Sequence, residues 1–284
     1  MKKQWLVIAL FPSAVWAQGA NNSEKAGYSY FTFGVENVKY QEHFPGLTSD
    51  VMISSPMLNT GGLYRVTDKF DFSIDTMATF SPMGNQEKWK DGNGLVTQTN
   101  QFEYLKASTH VMLQYKWQEN WRLLAGGSLT YQTYTRYGLK KFTSGESNIF
   151  KEGNTWEEKS TNLFADVGIA YDSGTLWGTD KWRAMGRLTA GIPLYSATEN
   201  TAFPDASFNA FGYRTNFEST LSYELTKGLH LGWYVAIGYE KRFEADSVRV
   251  TYIDANGQPQ TGLAWLPEAD TWNVNTGLQA LWYF

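Results

Sequence analysis

The 284-residue sequence has no cysteine. Disulfides, thiolate metal sites and a lipid anchor on cysteine are therefore excluded, and backbone pairing and packing alone must hold the chain. Histidine is scarce: His43, His110 and His230 are the three present. No two of them share a turn, so zinc-site spacing is missing and no metal is expected. Past the first residues no apolar run approaches the roughly 20 residues of a spanning helix, which removes a helical membrane protein. The net charge of −4 argues against nucleic acid as a partner and against a cationic surface peptide.

Aromatic residues are abundant instead. The chain carries 12 Trp, 17 Tyr and 17 Phe, 16% of its length, alongside 26 Gly. Mean hydropathy is nevertheless −0.41. A chain rich in aromatics yet polar on average fits strands with one apolar and one polar face. The first residues read as a secretory leader: Lys2 and Lys3, an apolar run over 5–11, and Val15-Trp16-Ala17 at the cleavage position. Cleavage is expected near Ala17, leaving residues 18–284 as a single domain.

Period-two alternation marks ten strands, at about 27–39, 57–66, 70–80, 105–117, 121–132, 162–171, 182–195, 211–225, 229–239 and 272–284. In the clearest pair, Leu105, Ala107, Thr109, Val111, Leu113, Tyr115 and Trp117 share one face, and Trp121, Leu123, Ala125, Gly127, Leu129 and Tyr131 continue it. Short connections at 67–69, 118–120, 172–181 and 227–228 alternate with long ones at 40–56, 81–98, 137–161, 196–210 and 244–270. Such alternation predicts an up-and-down antiparallel transmembrane β-barrel with short periplasmic turns, long external loops and both termini inside. A soluble sandwich would not require that asymmetry. The last strand, WNVNTGLQALWYF, bears aromatics at both ends of an apolar face and stops on Phe284. It resembles the C-terminal strand of Gram-negative outer-membrane β-barrels. The resemblance implies location in that membrane, contact with its lipid, and recognition of the terminal strand by the barrel-assembly machinery.

Asn256-Gly257 is a strong two-residue hairpin signal, since Asn and Gly accept φ > 0. Taken as the tip of a projecting hairpin, it pairs 248–253 with 261–265 and sets Glu240 opposite Asn273 and Tyr234 opposite Gln279. A bulge is expected near Pro267. Leu263, Trp265 and Leu266 then stand exposed near the tip, a candidate contact for an extracellular ligand.

The inward faces hold most of the charge. Arg65, Asp71, Asp75, His110, Asp166, Arg187, Arg214, Glu218 and Glu240 form the expected lumen network. Turn register places Arg65 opposite Asp71, Arg214 opposite Glu240 and Glu224 opposite His230, pairs of opposite charge or charge-assisted contact. A ten-stranded barrel is little wider than those that side chains fill. A polar plug is therefore the first expectation, with function in the external loops, and a narrow channel for ions or a small solute the second. By size and strand count the chain also resembles the omptin surface proteases, whose rim chemistry needs an Asp pair and a His–Asp pair. No Asp-x-Asp or Asp-x-His element stands at an external rim here, so no catalytic role carries over. Outer-membrane phospholipases and lipid A deacylases pair Ser with His. Ser108 and His110 are the only close pair, deep in the lumen and without an identified orienting carboxylate. No catalytic residue, cofactor or enzymatic activity is expected.

Overall fold

The computed structural model describes residues 26–80, 82–141, 154–179, 181–253 and 258–284. The expected leader, the cleavage position at Ala17 and the Asn256-Gly257 tip lie outside them. The strands are β1 (Gly27–Phe44), β2 (Leu47–Arg65), β3 (Phe70–Thr79), β4 (Asn85–Asp91), β5 (Val96–Lys116), β6 (Trp121–Lys141) and β7 (Trp156–Asp172). They continue with β8 (Trp182–Asn200), β9 (Phe203–Phe208), β10 (Gly212–Thr226), β11 (Leu229–Arg242), β12 (Val248–Ile253), β13 (Pro259–Ala264) and β14 (Glu268–Tyr283).

Ten of them close a ring in the order β1-β2-β3-β5-β6-β7-β8-β10-β11-β14, with β14 back on β1. All pairings are antiparallel, which leaves the ring without a free edge. Ten staves and the four short turns agree with the sequence reading. The terminal strand supplies the closure: Tyr28 faces Tyr283 and Glu36 faces Asn275. The Phe284 carbonyl accepts from the Ala26 amide at 2.6 Å, so the ladder extends beyond both strand ends.

The outer wall carries the lipid-facing set. Phe33, Val111, Leu129, Val167, Ile192 and Leu278 are all at least 40% exposed, as a hydrocarbon-facing surface requires. Trp117, Trp121, Trp182 and Trp282 lie at the periplasmic end, and Tyr131, Tyr195, Tyr213 and Trp272 at the other. From Trp272 to Trp282 the strand rises about 33 Å at ~3.3 Å per residue. Tilted about 40°, that spans about 25 Å, the height of an apolar barrel belt.

The long external connections are mostly ladder rather than loop. The expected connection 40–56 is a continuation of β1 and β2, paired as far as Phe44 and Leu47 and turned at Gly46 with φ 73°. Alternation persists there, but Pro56 disguises it. The Pro56 carbonyl accepts from the Phe80 amide, so its missing donor faces the same side at the very end of β3, where it costs a single terminal ladder bond. The expected connection 81–98 contains β4, which resumes the β3 stave by pairing with β2 and β5 and turns into β5 at 92–95. Likewise β6 runs to Lys141, and β9 folds back on β8 through Thr198 opposite Phe208.

At the last hairpin the register differs from expectation by two residues. Glu240 faces Thr271 rather than Asn273, and Tyr234 faces Gly277 rather than Gln279. A shift of two preserves the inward face. Above it β12 pairs with β13 as Val248 opposite Ala264 and Ile253 opposite Pro259. The Ala245 amide still bonds the Leu266 carbonyl at 3.0 Å, so one residue slips between Ala245 and Val248 and the ladder breaks beside Pro267.

Close approach at the seam sets one strict size limit. Gly34 faces Gly277, and a Cβ on Gly34 would lie 2.2 Å from the Thr276 carbonyl oxygen. Gly34→Ala should therefore destabilise the barrel by about 1–3 kcal/mol. Gly186→Ala, whose Cβ would meet nothing nearer than 3.8 Å, should leave the thermal midpoint unchanged when both are followed by circular dichroism in detergent.

Candidate functional site

The alternation that turns Phe33 and Val35 to lipid turns Thr32, Gly34, Glu36 and Tyr40 inward, and the same parity on every stave lines the lumen with polar groups. Nearest the periplasm, Asp71 lies 3.0 Å from Lys116 and 3.1 Å from Arg122. Arg65 stands opposite Asp71 in the ladder, as expected. Asp172 accepts from Arg183 Nε at 2.7 Å, and the Arg183 guanidinium covers the Tyr283 ring at 4.4 Å.

At mid-height Arg187 donates to Asp75 at 2.5 Å and to Glu218 at 2.7 Å. Tyr30 and Asn216 complete this group by donating to Asp75 and Glu218 at 2.7 and 2.6 Å. Asp75 on β3 and Arg187 on β8 are four staves apart on the ring of ten, so their bridge crosses the lumen. Arg214 is opposite Glu240 in register, but its guanidinium reaches past β8 to Asp166 at 2.8 Å, with Phe164 beneath it at 4.0 Å. Ser128 donates to the same carboxylate at 2.7 Å. Cross-strand register alone misses this contact because Arg spans two strands. His230 and Glu224 are opposite one another, Nε2 to Oε1 at 3.9 Å.

His110 and Ser108 both line a cavity of about 70 Å³ above the Arg187 bridge. Among the described residues no hydrogen bond joins Ser108 to His110. A second cavity, about 80 Å³ and bordered by Tyr28, Gln114 and Arg122, lies below the bridge. Arg187, Asp75 and Glu218 border both, so this group is the partition between them.

The densest cluster is in the extracellular half, mostly on residues of the expected long connections. Arg136 holds Glu87 through two contacts at 2.8 and 3.0 Å and Glu42 through a third at 2.8 Å. Arg242 reaches Glu158 at 2.8 Å and Glu42 at 3.0 Å. Tyr40 donates to Glu42 at 2.5 Å, while Asn100 donates to Glu87 at 2.7 Å. Glu42, Glu87 and Glu158 are 1%, 0% and 4% exposed, so three carboxylates share two guanidinium groups away from water. Tyr40, Phe102, Tyr104 and Tyr134 pack around them, with Tyr40 and Tyr134 rings 4.9 Å apart. Continuation of the alternation through Val38, Tyr40 and Glu42 was the available signal. Glu42 lies above the belt. Burial pushes its carboxyl up, but Arg136 and Arg242 outweigh this and hold it below the usual range.

His43, one residue on, points the other way. On the outer wall above Trp272 its Nε2 is 2.8 Å from Asp270, which also accepts from Tyr239 at 2.5 Å. Lys241 bonds Glu268 and Asp270 in the same cluster.

The projecting hairpin is not free-standing. Val250, Ala264 and Leu266 pack with Phe208, Ala210 and Ala245. Leu266, expected to be exposed, is thus buried, whereas Leu263 and Trp265 are 66% and 38% exposed.

A closed antiparallel ring with an apolar outer belt, polar lumen and short turns at one end is a membrane barrel, and one solved structure of this kind superposes well. The outer membrane protease OmpT from Escherichia coli matches with a TM-score of 0.63, covering 91% of this chain and 96% of that one at 10% identity. The fold is that of an outer-membrane β-barrel. OprG from Pseudomonas aeruginosa, at a TM-score of 0.37 and 11% identity over 92% of this chain and 98% of that one, is a looser match. No family model and no curated protein matches the sequence. At 10% identity the likeness to OmpT concerns the fold.

Breaking the extracellular cluster should be costly, because Arg136→Met leaves Glu87 without its cation and Glu42 with Arg242 alone. A loss of about 3–5 kcal/mol in denaturant unfolding is expected, with part recovered in Arg136→Met/Glu87→Leu. A depressed folded pKa at Glu42 stabilises above the unfolded value of about 4.3 and is lost as pH falls through the lower folded value. Wild type should accordingly lose stability more steeply than Glu42→Gln below about pH 4.

Proposed function

We propose that this protein is a non-enzymatic outer-membrane barrel of a Gram-negative bacterium that acts through its extracellular surface, as a binding or structural element with a closed lumen. The observation that carries this reading is the Arg136–Glu42 and Arg187–Asp75 pair of bridges, each joining staves four apart on the ring. Each spans the interior; cavities of about 70 and 80 Å³ lie on either side of Arg187, and a wider one of about 450 Å³, bordered by Arg65, Asp71 and Arg183, lies at the periplasmic end. An extended ladder carries β1, β2, β4, β5 and β6 beyond the belt and makes the external end a firm platform. Leu263 and Trp265 on the β12–β13 hairpin offer it an apolar contact for an extracellular ligand.

Hydrolysis is less well supported. Glu42, Glu87 and Glu158 are engaged by Arg136 and Arg242, and the His43–Asp270 pair faces outward. The channel reading draws on the polar cavities either side of Arg187, which a movement of that side chain would join. Export with cleavage near Ala17, and capture of the Phe284 strand by the barrel-assembly machinery, belong to the same proposal.

In planar bilayers the wild type should give no discrete conductance steps, and Arg136→Ala/Arg187→Ala, which removes both bridges, should introduce them. Steps in the wild type, with a selectivity altered by Glu218→Ala, would establish the channel instead.

A further inference from the structure

Inside the wall, one row of side chains crosses three adjacent strands. Glu36 on β1 is opposite Ser55 on β2 and opposite Asn275 on β14. Directly opposed residues on one face bring Cβ atoms to about 4.5–5.5 Å, so the three form a contiguous set. They are 0%, 2% and 4% exposed, in that order. Both Glu36 carboxylate oxygens, Ser55 Oγ and Asn275 Oδ1 have no hydrogen-bond partner among the described residues.

That sets the row apart from most lumen carboxylates. Asp71, Asp75, Glu87 and Glu158 each have a cationic nitrogen within 3.0 Å. Glu36 has only Lys106 Nζ, at 3.9 Å, beyond hydrogen-bond reach. Buried polar groups are ordinarily paired, and a buried carboxylate all the more so.

We propose that Glu36, Ser55 and Asn275 bind a monovalent metal cation of the sodium class. All four unpartnered atoms are hard oxygens, the donors that alkali and alkaline-earth ions take. One carboxylate with two neutral oxygens balances a single charge. Calcium collects more oxygen ligands, commonly several carboxylates, and magnesium keeps several of its waters. Asn275 also lines the cavity of about 70 Å³ and supplies the way in, while Glu36 and Ser55 lie behind it. Lys106 is the competitor for Glu36. It borders the same cavity, where Glu240, without an ion pair among the described residues, offers the displaced ammonium another carboxylate.

The test uses the folded barrel in detergent, with its thermal midpoint measured in sodium chloride against N-methyl-D-glucamine chloride at equal ionic strength. Sodium should raise the wild-type midpoint saturably, and Glu36→Gln should abolish the increment. Lys106→Met should lower the half-saturating sodium concentration by at least about tenfold, because the cation that competes for Glu36 is removed. Line broadening of the ²³Na resonance by Lys106→Met, reversed in Lys106→Met/Asn275→Leu, reads binding without relying on stability and stands even where Glu36→Gln does not fold. Equal midpoints in both salts for wild type and Lys106→Met, or a sodium increment that survives Glu36→Gln, would overturn the proposal.

Discussion

Closure of the hydrogen-bonded ring is the constraint on which everything else rests. In hydrocarbon a strand edge has no water to satisfy it, so the first and last strands must find each other. Here β1 and β14 pair along their length, and the terminal amides and the Phe284 carbonyl carry the ladder to its end. Once the ring closes, the pleat divides every stave into a lipid face and a lumen face. The close packing of Gly34 against Gly277 is a local consequence, because two backbones meet there with no space for a side chain.

The lumen follows from the same division. A ten-stave ring encloses too little space for bulk water at mid-height, yet its inner face is polar. Charges in such a place are tolerated when each finds a counter-charge and its remaining hydrogen bonds. Arginine dominates because its planar fork satisfies two carboxylates at once, as Arg136 and Arg187 do. Side chains long enough to reach across the ring therefore do two things together: they neutralise the lumen and they tie opposite walls.

Legibility in the sequence divided along the same physical line. The ten staves, their faces and the pairs Arg214–Glu240 and Glu224–His230 were readable, since period two and a short turn determine them. The outer reaches were not. Pro56 and the interruption after Phe80 break the local pattern without ending the ladder, which hides the strand positions of Glu42 and Glu87, and Glu158 stands near the start of β7, ahead of the clear alternation. Arg214 illustrates a different limit: register names its neighbour correctly, but the guanidinium bonds Asp166 two staves away. Contacts across a lumen depend on side-chain reach, and no short-range sequence signal encodes that.

The ion pairs also differ in what they ask of the fold. In the extracellular cluster, aromatic rings exclude water and three carboxylates divide two arginines, an arrangement that is stable only while every member is present. Around Glu36 the geometry is looser, with Lys106 too far for a hydrogen bond and three further oxygens unmatched. A lumen in which Asp71, Asp75, Asp166 and Glu218 are each closely paired has little reason to leave that row unsatisfied unless something positive and compact completes it. The Glu36 row is thus a place inside the wall where composition and charge, rather than shape, point to a component beyond the chain itself.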